Sequence, residues 1–269
     1  MGSSVTITLK SGSDLTVEEI ADCYSLINRT GFLMQTGVLE SKHLVHNPTM
    51  ILAHQNGRLV GIQAYSLFQL PTPFRRKEMA FIFGGLAYQD ARIAKKGMAR
   101  RMAKSYFRHI LGPFWAFRDY AILTGTVNPR LIQFMGIQHH LYLAFDNTLT
   151  PSLFNFVHEF LRQYRPNNPY PISDQLVVFP SGGLLSRSDI SQQWPLMYRA
   201  SQEKFNKLAY DLQLIERVAD RHYLTGNFLW VLGRSSRHQL LKGSWKLATW
   251  WLRKHLGLKA NSEPTALPQ

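Results

Sequence analysis

The segment Lys95-Lys96-Gly97-Met98-Ala99-Arg100-Arg101-Met102 indicates how this 269-residue chain folds. It follows a strand-like run and opens a basic helix, so its turn presents unpaired backbone N–H groups and the positive end of a helix dipole. Helix starts of this kind bind phosphate groups. Downstream, Thr126-Val127-Asn128-Pro129-Arg130 predicts a strand end and a second helix, with Asn128 as N-cap and Pro129 at the first helical position. The sequence therefore predicts a phosphate-binding turn between a strand and a helix.

The elements around this turn follow from hydrophobic periodicity and turn residues. Asn56-Gly57 between two β-rich runs is typical of a hairpin. The predicted elements of the first half are a helix over residues 14–29, strands over 50–54, 58–65, 78–86, 120–127 and 141–145, and helices over 97–109 and from 128 onwards.

The second half of the chain is predicted to be a more helical extension. Its predicted elements are helices over 151–164 and 195–220, strands over 175–179 and 228–232, and a basic amphipathic helix from 234. We divide the chain into a core, 1–148, an extension, 149–233, that packs on the core and completes the sheet or the acceptor site, the basic helix, 234–259, and a disordered tail, 260–269.

The formal net charge of +14 is shared by both halves of the chain and would attract nucleic acid, anionic lipid, an acidic carrier protein or a phosphate-rich cofactor. Nucleic acid is the weakest of these, because no known binding module is recognisable.

The first residues lack the pattern of a secretory leader, which predicts a protein that is cytoplasmic or peripheral at a membrane. The lone Cys23 excludes an internal disulfide, and we expect it to be packed. The pair His139-His140 has no carboxylate or cysteine cluster beside it, so we expect structural histidines and no metal.

The order of these elements resembles that of the GCN5-related N-acetyltransferase (GNAT) superfamily over roughly residues 5–145. In that family a turn of the form Arg/Gln-x-x-Gly-x-Gly/Ala wraps the pyrophosphate of acyl-coenzyme A. The run Ala94-Lys95-Lys96-Gly97-Met98-Ala99 matches this turn except at Ala94. The resemblance implies an α/β (α+β) fold, with a mixed, mostly antiparallel central sheet flanked by helices and followed here by the long α-rich extension.

The resemblance also implies an activity. It implies an acyltransferase that moves an acetyl or longer acyl group from acyl-CoA, or from the phosphopantetheine of an acyl-carrier protein, to a primary amine of a small molecule or peptide by direct attack. The donor residues implied in this sequence are Phe83, Gly84, Gly85 and Leu86 beside the pantetheine, Lys95, Lys96, Gly97, Met98, Ala99 and Arg100 at the phosphates, and Asn128, which contacts the pantetheine or caps its helix.

Candidates for two catalytic roles, a base and an acid, follow from the groups that acyl transfer to an amine needs. Glu78 is the acidic residue of the predicted central strand and is a candidate general base; the alternative is a solvated charge beside the basic residues at 75–77. Met135 stands where many GNAT relatives carry a Tyr that protonates the leaving thiolate. Tyr142 is therefore the candidate acid and Tyr88 a further one; the alternative for both is a packed ring with its hydroxyl in water.

A second function stays open from the sequence: a GNAT-scaffold protein with little or no catalysis that binds an anionic membrane or an acidic partner. Trp245, Trp250 and Trp251 lie among lysines and arginines on the predicted basic helix, as in helices that bind a membrane surface. The alternative for this helix is packing on the domain with its basic face outward.

Overall fold

The computed structural model describes residues 4–30, 34–90, 93, 97–164, 172–178 and 188–235. Lys95 and Lys96 of the predicted phosphate turn lie outside these residues, as does the predicted basic helix beyond residue 235. Across the described ranges, none of the helices has both the length and the apolar character that a bilayer span requires.

The described elements alternate between strands and helices along the chain. The strands are β1 (Val5–Ser11), β2 (Thr49–Gln55), β3 (Arg58–Thr72), β4 (Arg75–Gln89), β5 (Tyr120–Thr126), β6 (His140–Tyr142), β7 (Val177–Val178), β8 (Ser188–Asp189), β9 (Ile215–Val218), β10 (Arg221–Leu224) and β11 (Phe228–Ser235). The α-helices are α1 (Val17–Arg29), α2 (Met98–Leu111), α3 (Pro129–Gln138), α4 (Pro151–Tyr164) and α5 (Glu203–Asp211).

Helix α1 begins where the sequence offers a cap. Thr16 Oγ1 accepts a hydrogen bond from Glu19 N at 3.2 Å, and Glu19 Oε2 accepts one from Thr16 N at 3.0 Å. This capping box starts the helix at Val17, slightly later than predicted. Cys23 is fully buried in α1, and burial raises the pKa of its thiol to about 12, which confirms the expected packed cysteine.

The hairpin of β2 and β3 is confirmed. Asn56 and Gly57 have φ angles of +52° and +74°, the left-handed backbone that a two-residue hairpin turn needs. Strand β1, which the sequence analysis does not predict, pairs antiparallel with β2 from Val5 to Ser11 and forms the edge of the sheet.

The main sheet has the order β1-β2-β3-β4-β5-β11-β6, and β7 also pairs with β11. Strands β4 and β5 are parallel, and the other described pairs of this sheet are antiparallel. This confirms the predicted mixed, mostly antiparallel sheet. Strand β11 inserts between β5 and β6 and pairs with β5 from Leu229 to Ser235, so residues of the predicted extension lie inside the main sheet.

The predicted helix over 195–220 is wrong in its second half. A π-helical turn, Trp194–Tyr198, precedes α5, and β9 and β10 follow it in a small second sheet of order β8-β10-β9. The helix ends because Gln213 takes a left-handed φ of +52°, and Ala219 has the same φ in the turn of the β9–β10 hairpin. The helical periodicity therefore belongs to the nine residues of α5 alone.

Helices α1 and α2 cover opposite faces of the main sheet. Met50 and Leu52 of β2 pack in one cluster with α1, whereas Ile51 and Ala53 share the larger core with Met102 of α2. Neighbouring residues of a strand point to opposite faces, so the two helices lie on different sides. We name these sides the α1 face and the α2 face.

Helices α3 and α4 are divided between the same two faces. Tyr164 OH of α4 lies 3.0 Å from Ser66 Oγ, and Ser66 is two residues along β3 from Ala64, which packs with α1. Helix α4 therefore lies on the α1 face. At the end of α3, His139 is bonded to Tyr120, whose ring lies 5.4 Å from that of Phe107 in α2, so α3 ends on the α2 face.

Candidate functional site

Strands β4 and β5 separate in the middle of the sheet. Their parallel pairing runs from Ala80–Tyr120 to Gly84–Thr124 and ends there, although both strands continue. The strands therefore diverge and leave a wedge with its apex at Gly84 and Thr124. Beyond the apex, the described pairing leaves the edge of β4 open towards β5, and an open strand edge can pair with an extended ligand.

A β-bulge in β4 lies directly beside the apex. Tyr65 of β3 stands opposite Gly84, and Ala64 stands opposite Leu86, so Gly85 is an extra residue in β4. A bulge of this kind bends its strand and increases the local twist. The bend occurs where β4 parts from β5, which makes it a local cause of the wedge.

The apex is closed by a tight contact between backbone and side chain. Thr124 Oγ1 donates a hydrogen bond to Gly84 O at 3.1 Å. A Cβ placed on Gly84 would lie 2.9 Å from that hydroxyl oxygen and 3.1 Å from Thr124 Cβ. Because glycine has no Cβ, its presence at position 84 lets the two strands approach closely before they diverge.

A cavity of about 680 Å³ lies at the wedge, and residues on both faces of the sheet line it. On the α2 face it lies between α2 and α3, and its walls there include Ala99, Met102, Ala103, Phe107, Met135 and His139. On the α1 face it lies beneath the loop that follows α1 and beside the end of α4, and its walls there include Met34, Val38, Lys42, His43, His46 and Tyr164. Two ligands could therefore meet at the wedge from opposite faces.

The amino-terminal end of α2 borders the α2-face end of the cavity. Gly97 is its N-cap with a φ of +67°, no side chain caps the helix, and its first turn has no acidic residue. Gln63 Nε2 donates a hydrogen bond to Ala99 O at 3.1 Å and ties this turn to β3. Arg100 is exposed, whereas the side chain of Met98 is buried in the core, so Met98 offers a ligand only its backbone. This arrangement suits a phosphate group.

Asn128 caps α3 and also lines the cavity. Its Oδ1 accepts hydrogen bonds from Arg130 N at 3.0 Å and Leu131 N at 3.4 Å, and its Nδ2 donates one to Met197 O at 3.1 Å. Of the two roles that the sequence left open, the structure gives Asn128 the helix cap. The bond to Met197 also fixes the π-helical turn of the extension beside the wedge.

Two tyrosines from different parts of the chain line the cavity near the wedge. Burial raises the pKa of Tyr88 in β4 and that of Tyr198 in the π-helical turn, and the interaction with Tyr88 raises the pKa of Tyr198 further. Both phenols therefore stay protonated at neutral pH and can donate a proton. Tyr88 was a candidate from the sequence, but Tyr198 was not, because its place beside the wedge depends on how the extension packs.

The α1-face end of the cavity carries two imidazoles. A Cβ placed on Gly85 would lie 4.0 Å from His43 Nδ1, which sets that ring against the bulge. His46 Nε2 donates a hydrogen bond to Tyr164 O at 2.6 Å and ties the loop to α4. Together with Lys42, these residues give this end of the cavity a basic character, and its described walls contain no aspartate or glutamate.

Of the three catalytic candidates from the sequence, Tyr88 lines the cavity, whereas Glu78 and Tyr142 do not. Glu78 is exposed and lies six residues before Gly84 on β4, about 20 Å along the strand. Its exposure fits the alternative of a solvated charge. Tyr142 packs against Phe74 at a ring distance of 4.8 Å, and burial raises its pKa. It lies on β6, which β11 separates from β5, so the inserted strand moves it one strand further from the wedge than the sequence order suggests.

The predicted donor residues are only partly brought together. Phe83 lies in the paired part of β4, where its ring packs against Tyr164 at 4.5 Å and Trp230 at 5.4 Å, and it does not line the cavity. The predicted donor residues that line the cavity are Gly84, Gly85, Leu86, Ala99 and Asn128. Lys95 and Lys96 fall outside the described residues.

His139 is a buried, neutral histidine. Its Nδ1 donates a hydrogen bond to Met135 O at 3.2 Å, so Nε2 accepts one from Tyr120 OH at 3.1 Å. Burial lowers the pKa of His139 to about 4. Among the described residues, histidine, cysteine and carboxylate side chains nowhere form a group of three that could hold a metal.

Comparison with known proteins gives structural likeness only. No protein-family model and no curated protein matches the chain. An acyl-CoA N-acyltransferase from Pseudomonas aeruginosa is 18% identical over 45% of this chain and 79% of its own, with a TM-score of 0.29. Diaminobutyrate acetyltransferase from Paenibacillus lautus is 14% identical over 86% of this chain and 96% of its own, with a TM-score of 0.34. Ribosomal-protein-alanine N-acetyltransferase from Brucella melitensis biovar Abortus 2308 is 18% identical over 38% of this chain and 69% of its own, with a TM-score of 0.28.

These TM-scores are too low to support an argument about the fold. The evidence for the fold is the chain's own topology. A parallel pair lies at the centre of an otherwise antiparallel sheet, the pair splays apart beyond Gly84 and Thr124, and a basic helix begins at Gly97. The mixed, mostly antiparallel sheet and the basic helix after its central strand are features that the sequence resemblance to the GNAT superfamily implies.

Proposed function

We propose that this protein is an N-acyltransferase that takes an acyl group from a coenzyme A thioester and transfers it to an amine. The observation that carries this proposal is the open edge of β4 beyond Gly84, inside a cavity that reaches both faces of the sheet. The pantetheine arm would enter from the α2 face and pair with that edge as an added strand would. The phosphates would bind at the start of α2, where backbone N–H groups and Arg100 favour negative charge.

The amine would approach from the α1 face. Its nitrogen attacks the thioester carbon, a tetrahedral intermediate forms, and the C–S bond breaks. We assign His43, next to the bulge at Gly85, as the base that accepts the proton lost by the amine. Tyr198 or Tyr88 would donate a proton to the departing thiolate, because both phenols line the cavity near the wedge.

The walls of the α1-face end support one class of acceptor. A buried cation needs a carboxylate partner or pays a large desolvation cost, and the described walls offer Lys42, His43 and His46 instead of acidic residues. We therefore propose an acceptor amine whose remaining groups are neutral or anionic, and we expect polyamines to be poor substrates. An acidic carrier protein as donor, a cytoplasmic location and membrane contact through the helix at 234–259 stay predictions from the sequence.

The donor site is tested by calorimetric titration of the full chain with coenzyme A. Arg100→Glu places a negative charge at the start of α2 and should weaken binding at least about fivefold. The matched control is Arg108→Glu, the same charge change in the last turn of α2, which should change the dissociation constant less than about twofold. Equal weakening by both substitutions would show that only net charge matters and would contradict a phosphate site at Gly97.

The transfer step is tested by following the release of free coenzyme A thiol over a panel of neutral, anionic and polycationic amines. His43→Ala should lower kcat by about 100-fold and leave coenzyme A binding unchanged, because a positioned base contributes about that much. The control is His54→Ala, since His54 lies on β2 and does not line the cavity. Wild-type rates for His43→Ala would remove this residue from the mechanism.

A further inference from the structure

On the α2 face, the cavity also extends from the apex of the wedge over the paired part of β4 and β5, between α2 and α3. Its walls here are Met102, Ala103 and Phe107 of α2, Ile122 of β5, and Met135 and His139 at α3. We call this part of the cavity the helix slot. Ile122 lies two residues before Thr124, in the paired part of β5. The slot therefore reaches about 7 Å from the apex along β5, away from the open side of the wedge.

The walls of the helix slot are shielded from solvent. Met102 is 0% exposed, Phe107 and His139 are 3% exposed, and Ile122 is 5% exposed. From Ala99 to Phe107 the cavity follows two turns of α2, a length of about 12 Å. These four side chains are buried and Ala103 is half-buried, so the helix slot is a largely enclosed part of the cavity.

The helix slot is apolar in effect, although polar side chains border it. Gln63 donates to Ala99 O and accepts from Tyr65 OH, and Thr124 donates to Gly84 O. Both ring nitrogens of His139 are bonded within the protein, as described above. Because these groups already have partners, a ligand in the slot meets mainly hydrocarbon surface.

An unfilled apolar volume lowers the stability of a protein core, because its walls lose packing contacts. Met135, which is 5% exposed, adds an apolar side chain of α3 to these walls. The slot is continuous with the apex of the wedge, where the reacting carbonyl of a bound thioester would lie. An acyl chain could extend from that carbonyl into the α1-face end or into the helix slot. The α1-face end is basic and must admit the amine, so the helix slot is the part left for hydrocarbon.

We propose that the helix slot binds the hydrocarbon chain of an acyl donor longer than acetyl, so that the enzyme prefers medium-chain acyl-CoA thioesters. This inference rests on the proposed donor site. It specifies the length of the acyl group, which the wedge alone does not decide. It also places the hydrocarbon chain between α2 and α3 instead of in the extension.

The test is calorimetric binding of coenzyme A, acetyl-CoA and octanoyl-CoA to the full chain. Octanoyl-CoA should bind about tenfold or more tightly than acetyl-CoA, because six more methylene groups leave water. Ala103→Phe fills the slot and should bring the ratio of the two dissociation constants close to one. Ala21→Phe on the exposed side of α1 is the matched control and should keep the wild-type ratio.

The ratio of dissociation constants is measured within one preparation, so it does not depend on the fraction of folded protein. If Ala103→Phe does not fold, Ala103→Leu makes a smaller plug and should reduce the ratio in part. A wild-type ratio near one, or a ratio that the plugs leave unchanged, would overturn the helix slot and leave the donor site standing. Failure of all three ligands to bind would overturn the proposed function together with the slot.

Discussion

Replacing Gly84 by alanine should strain the apex of the wedge. The new Cβ would lie 2.9 Å from Thr124 Oγ1 and 3.3 Å from Tyr65 Cε1, and Thr124 cannot easily turn away because a β-branched side chain is stiff at χ1. Overpacking of this kind costs about 1–3 kcal/mol, and loss of the hydrogen bond from Thr124 to Gly84 O costs about 1 kcal/mol more. We therefore expect Gly84→Ala to lower the free energy of unfolding by about 2–4 kcal/mol.

The assay is urea unfolding, with Gly85→Ala as control. A Cβ on Gly85 meets its nearest neighbour, Phe83 Cε1, at 3.5 Å, an ordinary contact, so this variant should lose less than about 1 kcal/mol. In a Thr124→Ala background, Gly84→Ala should cost about 1 kcal/mol less, since the closest clashing atom is gone. If Gly84→Ala and Gly85→Ala unfold at the same urea concentration, the apex is not tightly packed and the reasoning is refuted.

Three further predictions concern the cap, the buried histidine and the thiol. Asn128→Ala should lower the free energy of unfolding by about 1–2 kcal/mol in urea, whereas Asn128→Ser, which also loses the bond to Met197 but keeps a capping oxygen, should lose less; equal losses would contradict the cap. His139 has a folded-state pKa of about 4, below its ordinary value of 6.5, so the unfolded chain binds the proton first. Wild-type stability should therefore fall, relative to His139→Gln, by about 3 kcal/mol in all as the pH falls from about 6.5 to about 4, and parallel pH profiles of the two proteins would contradict a neutral buried ring. Because burial raises the pKa of Cys23 to about 12, only about one thiol in 10,000 is ionised at pH 8, and an aromatic disulfide reagent should label it only after unfolding; rapid labelling of the native protein would show that α1 opens readily.

Much of the fold was predictable because it depends on local patterns. The turn residues Asn56-Gly57 fix the β2–β3 hairpin, and Asn128-Pro129 fix the start of α3, since each backbone conformation favours these residue types. The glycines at 84 and 85 were placed at the donor site from the resemblance, and both line the cavity at the wedge. Helix capping was also one of the two roles expected for Asn128.

The proposed catalytic residues His43 and Tyr198 could not be found in the same way, because their proximity to the wedge comes from contacts between distant segments. His43 reaches the bulge through a loop that His46 ties to Tyr164, 118 residues away. Tyr198 reaches the wedge because Met197 accepts a hydrogen bond from Asn128, 69 residues before it. Neither contact has a periodic signal in the sequence, so the candidates that the sequence offers, Glu78, Tyr88 and Tyr142, lie on or next to predicted strands.

The sequence by itself determined the central architecture: the hairpin, the strand before the basic helix, and the helix that begins at Gly97. These follow from turn chemistry, capping and amphipathic periodicity, which act over a few residues. Only the tertiary structure decided where the cavity runs and what lines it. Strand β11 enters the sheet between β5 and β6 from about 100 residues away and moves Tyr142 from the wedge, while α2 and α3 stand far enough apart to leave the helix slot. Such placements depend on which surfaces pack together across the whole chain, and no local pattern encodes them.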